Sequence, residues 1–160
     1  MAALPGIEAT RRELPAFIQL AEEAELMRFT LLVLAVAGIL VSSLALSRHL
    51  SPEDDTEVRG SYWNSSAVNH SQYAVVDGIP VALIGMAGYT LLGLLAFFGR
   101  RELTAVCSLL GLGYALYLTN IEAHILEMWC LYCVLSLILI TMIVFVAFAE
   151  LLAHRAAPSI

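Results

Sequence analysis

Four long stretches of the chain carry no charge: Phe29–Leu46, Pro80–Phe98, Leu103–Ile121 and Cys130–Ala149. Each is close to the ~20 apolar residues with which an α-helix crosses the ~30 Å hydrocarbon layer of a bilayer. Backbone amides in lipid must find partners within their own segment, so each stretch predicts a membrane-spanning helix. The pattern therefore predicts an all-α integral membrane protein, a four-transmembrane-helix bundle over residues 27–152 with one long polar loop at 47–78. Residues 1–26 form a polar N-terminal segment and residues 153–160 a short tail. Within the first segment Leu14, Phe17, Ile18, Leu20, Ala21 and Leu26 fall loosely on one face, which predicts a short amphipathic helix lying on the membrane. The first apolar run, starting near Phe29, is too long for the h-region of a signal peptide.

Four spans bring both termini to one side. Arg11, Arg12, Arg28, Arg100, Arg101 and Arg155 then share that side, and only Arg48 and Arg59 fall on the other. The positive-inside rule makes the arginine-rich side cytoplasmic and places loop 47–78 on the outer face.

Composition agrees with this reading. The chain is 60% hydrophobic with a mean hydropathy of +0.83, against roughly 45–50% apolar residues in a soluble domain. The net charge of −6 argues against nucleic-acid binding, which wants a basic face. Three cysteines allow at most one disulfide, and spacing favours Cys130 with Cys133.

That pair, in Trp129-Cys-Leu-Tyr-Cys133, is the principal candidate chemistry. On a helix, positions i and i+3 share a face, so both thiols point one way at the outer mouth of the fourth span. Such a pair cycles between dithiol and disulfide. The helix N-terminus favours a thiolate there, while Glu122 and Glu127, just upstream, oppose it if they are close. The alternative is that these are small apolar packing residues, as Cys107 is read to be. A metal reading is weaker: zinc takes four ligands, and only His124 offers a third. Covalent haem attachment requires His after the second cysteine, and position 134 is Val.

The loop begins acidic (Glu53, Asp54, Asp55, Glu57), and its Tyr62, Trp63 and Tyr73 suit a segment dipping into the interface. Asp77-Gly-Ile-Pro80 reads as a turn, with Pro80 in the first turn of the next helix. Gly85, Gly88, Tyr114 and Tyr117 read as helix packing. Glu122 and His124 fall at the water boundary, where a carboxylate is costly unless solvated or paired. His124 reads either as a proton carrier for the thiols or as a satisfied interfacial histidine.

Several of these motifs together resemble one family. Tyr73-Ala-Val-Val-Asp-Gly78-Ile-Pro80-Val-Ala-Leu-Ile-Gly85-Met-Ala-Gly88-Tyr89 resembles the start of the second helix in bacterial homologues of vitamin K epoxide reductase. Val68-Asn-His-Ser71-Gln-Tyr73 resembles the end of their outer loop, and Ile121-Glu122 followed by Trp129-Cys-Leu-Tyr-Cys133 their active-site approach. The resemblance covers about residues 27–152 and implies a four-helix bundle around a quinone, ubiquinone or menaquinone, in a bacterial inner membrane. It implies that Cys133 faces the quinone, with Ser136 a weak candidate for its oxygens, and that Cys130 exchanges disulfides with a second cysteine pair in the outer loop. That second pair is missing: Ser65 stands at one of its positions, Glu57 near the other, and no cysteine occurs between residues 1 and 106.

Two expectations follow. In the first, Cys130 and Cys133 take electrons directly from an external thioredoxin-fold (DsbA-like) protein and pass them to a quinone. In the second, the chain is a redox-inactive accessory subunit of a larger membrane complex, docked through Tyr62, Trp63 and His70.

Overall fold

The computed structural model describes residues 16–50, 65, 68, 71–127 and 129–156. Four helices make up most of it: α1 (Ala16–Leu50), α2 (Val81–Phe97), α3 (Arg101–Ile121) and α4 (Leu131–Ala156). α1 packs against α2 and α4, and α3 against α4. α2 and α3 meet more loosely than these pairs. Three of the helices are long and apolar enough to cross a membrane, and α2 is a shorter apolar helix of 17 residues.

α1 differs from the expectation at both ends. Residues 16–26 are not a separate surface helix; they run unbroken into the first span, which continues to Leu50. The segment Ala16–Arg28 contains neither Gly nor Pro and is rich in Ala, Leu and Glu, all good helix formers, so nothing interrupts it.

The inner face of α1 is a stripe of mostly small residues at alternating steps of four and three: Leu31, Ala35, Gly38, Ser42 and Ala45, all buried. Lipid tails are as apolar as leucine, so close approach rather than hydrophobicity holds such helices together. The antiparallel partner α2 answers step by step. A Cβ added at Gly93 would sit 3.4 Å from Ala35, and one at Gly85 would sit 3.1 Å from Ser42 Oγ. At Gly38 an added Cβ would fall inside the Tyr89 ring. Tyr89 is thus seated on bare backbone, and with Leu31, Leu92, Ile140 and Ile143 it forms the centre of the core. The opposite face of α1 exposes Phe29, Val33, Val36, Leu40 and Leu44, a continuous apolar strip suited to lipid.

At one end of the bundle the arginines gather. Arg28 Nη2 donates to the Phe97 carbonyl at 2.7 Å. Arg101 Nε is 2.9 Å from the buried carboxylate of Glu150, and Arg155 pairs with Glu102 at 3.1 Å on the surface. At the other end, Val75–Val76 and Ile79–Pro80 form a miniature antiparallel hairpin. Asp77 (φ 51°) and Gly78 (φ 83°) make its two-residue turn, the backbone form that Asp-Gly favours. Pro80 directly precedes α2.

Candidate active site

α3 does not simply stop at Ile121. It widens into one π-helical turn, Glu122–Leu126, closed by the Glu127 amide donating to the Glu122 carbonyl. Glu127 adopts a left-handed backbone (φ 51°), unusual for a residue with a side chain, and there the chain reverses. π-Turns concentrate at functional sites. Here the reversal returns the chain to Glu122: its Oε2 accepts a hydrogen bond from the Cys130 amide at 3.2 Å. Glu122 is buried, so this bond is part of what makes a carboxyl tolerable at that depth.

Cys130 stands immediately before α4, and its carbonyl takes the first helical bond, from Val134 N–H at 3.1 Å. Cys133 lies one turn on, as the i, i+3 spacing predicts. Both are free thiols. Their sulfurs and a Glu122 oxygen lie within 4.8 Å of one another. Of the two upstream glutamates, Glu122 is the one beside the thiols, while Glu127 is exposed. Three acidic groups at such spacing in a water-poor setting do not all ionise together, so protons are shared among them. The two thiols differ in access: Cys130 is fully enclosed, whereas Cys133 is partly exposed and lines a cavity.

That cavity has a volume of about 400 Å³, within the ~300–1,000 Å³ range of small-molecule sites. Its wall is mostly apolar and draws on all four helices. Three polar side chains matter in it. Ser136 Oγ is 2.8 Å from Tyr89 Oη, which also donates to the Ser136 carbonyl at 2.9 Å. The serine expected to meet a ligand is therefore already engaged. Tyr114 Oη, by contrast, is buried and has no hydrogen-bond partner among the described residues. Glu122 is the third. Leu91 of α2 and Leu110 of α3 line the cavity and are exposed, at the seam where α2 and α3 meet loosely.

Other predicted residues fall elsewhere. His124 is exposed, with Nδ1 3.2 Å from the Asn120 carbonyl, and does not join the thiols; the third group beside them is Glu122. Gly88 meets nothing within 4 Å and faces the cavity rather than a neighbouring helix. Tyr117 is exposed, and Cys107 lines the cavity wall. Tyr62, Trp63, His70 and the acidic run 53–57 lie outside the described residues. Ser65 is described, and its Oγ accepts a hydrogen bond from the Leu131 amide at 3.2 Å, beside Cys130.

The model of the Vitamin K epoxide reductase family matches residues 29–148. No curated protein matches the chain.

Proposed function

Because the chain belongs to the vitamin K epoxide reductase family, whose members are membrane thiol–disulfide oxidoreductases, we propose that it couples the Cys130–Cys133 dithiol to reduction of a quinone. The observation that carries the reading is the mostly apolar cavity beside Cys133, lined among others by Tyr114, whose buried hydroxyl has no partner among the described residues. Family members generally work with quinones, and a bound quinone supplies an acceptor for two electrons and two protons.

The chain's own residues then have these parts. Cys133 is the sulfur on the cavity side. Cys130 closes the disulfide with it, and the pair gives up two electrons and two protons in doing so. Glu122 holds or passes one of those protons, being the carboxyl beside both sulfurs. Tyr114 turns its Oη toward a ligand oxygen as donor, and the loose α2–α3 seam admits a lipid-soluble molecule. Ser136 instead fixes Tyr89. Electrons are replaced by a thioredoxin-fold protein on the outer side of a bacterial inner membrane. No internal relay precedes that step: no cysteine occurs between residues 1 and 106, and Ser65, where the resemblance puts a loop thiol, accepts from the Leu131 amide. In this arrangement the arginine-rich end, with both termini, is cytoplasmic, α2 is the second of four spans, and loop 47–78 is external.

The test is turnover by the purified full chain given a short-chain quinone and either dithiothreitol or a reduced thioredoxin-fold protein. Quinone reduction is expected, with Cys133→Ser abolishing it. No turnover with either donor overturns the reading and leaves the accessory-subunit alternative.

A further inference from the structure

We propose that the reduced protein binds a thiophilic dication of the Zn²⁺ class between Glu122, Cys130 and Cys133, and that the oxidised protein does not. The proposal goes beyond the quinone reading and requires neither a quinone nor a partner.

Three features of the site carry it. The first is geometry: one ligand atom from each residue, all within 4.8 Å of one another. Zinc bonds sulfur at ~2.3 Å and carboxylate oxygen at ~2.0–2.2 Å. Two atoms on one tetrahedral ion therefore lie roughly 3.5–4 Å apart, so modest side-chain rotation closes the cluster onto an ion. The second is donor chemistry. Two thiolates with one carboxylate select Zn²⁺ or Cd²⁺ over the hard cations Mg²⁺ and Ca²⁺. The third is preorganisation. The Cys130 amide already orients Glu122 through Oε2 at 3.2 Å, the kind of outer contact that holds a metal-binding carboxylate in place. That leaves its other oxygen for the ion.

Charge permits the same outcome. Binding displaces one proton from each thiol, and two thiolates and a carboxylate around the dication leave a single net negative charge, the same as the metal-free cluster carries with both thiols protonated. Glu122 and Cys133 line the cavity, so the fourth coordination position opens onto it, as in three-ligand zinc sites. Once a disulfide forms, both sulfurs lose their thiolate character and the site keeps only a carboxylate. Metal uptake thus reports redox state, and a bound ion ties up the dithiol.

The experiment uses the full chain in detergent, reduced with a phosphine or oxidised with diamide, and titrates Zn²⁺ against a chromogenic chelator. The reduced protein is expected to take one equivalent. Oxidation should weaken binding about a hundredfold, and Glu122→Gln about 10- to 100-fold. Cys107→Ser should leave uptake unchanged. Equal uptake by both redox states, or full affinity in Glu122→Gln, overturns the proposal. If Glu122→Gln does not fold, X-ray absorption of the zinc-loaded wild type decides. Two sulfurs plus oxygen around the ion support the site, and any other sulfur count overturns it.

Discussion

Tyr114 lines the cavity and carries a buried hydroxyl that is bonded to nothing among the described residues. Leaving such a group unsatisfied costs stability, so removing it is neutral or slightly stabilising. Tyr114→Phe is therefore expected to keep or raise the melting temperature in detergent while lowering quinone turnover about tenfold, the equivalent of one hydrogen bond of ~1.4 kcal/mol. Parallel thermal and kinetic measurements check both halves, and a fall in stability with unchanged turnover contradicts the assignment. The cysteines were legible in the sequence because three-residue spacing needs only a helix to bring them together. Glu122 stood out as an acid at membrane depth. Tyr114 did not, because a tyrosine inside an apolar run reads as packing. The available signal was its spacing: eight residues before Glu122 puts both on one helical face. Ser136 was legible as a polar group in the right helix, but its engagement by Tyr89, 47 residues earlier, is a tertiary fact.

Among the elements, the α1–α2 pair depends on glycine and small residues meeting in register. Gly38→Ala pushes a methyl group into the Tyr89 ring, and overpacking of this kind costs about 1–3 kcal/mol. The expected result is a lowered melting temperature for Gly38→Ala and a smaller additional loss when Tyr89→Ala is present too. A double-mutant cycle measures that coupling, and additive losses refute the contact. The same tyrosine holds Ser136, so the single change should also disturb the cavity. The stripe Leu31, Ala35, Gly38, Ser42, Ala45 is written in the sequence as a four–three repeat. The break after α3 is not. Ile121–Glu127 contains no Gly or Pro, so local preference continues the helix. The π-turn and left-handed Glu127 come from packing that propensity does not register. Likewise the continuity of α1 through residue 26 was hidden by its charges, which signal exposure rather than a helix end.

Across the whole molecule the two ends differ in kind. One gathers Arg28, Arg101 and Arg155 around carboxylates and a helix terminus. The other holds the hairpin, the thiols and much of the cavity wall. The proposed orientation is checked by single cysteines in a cysteine-free background. Val76→Cys should react with an impermeant maleimide on intact cells, and His154→Cys only after the membrane is opened. The reverse pattern would invert the topology. The order and approximate extent of the helices were legible from hydropathy, since uncharged runs of this length have few other fates. The interior space was legible only through the family resemblance, because the small residues in its wall, such as Gly85, Gly88 and Ala115, read along the chain as helix packing. The complete enclosure of Cys130, with Ser65 latched to the neighbouring amide, also bears on timing. A sulfur with no surface meets no thiol from outside until something beside it moves, so exchange at Cys130 waits on the Ser65 contact, while Cys133 is reached through the cavity.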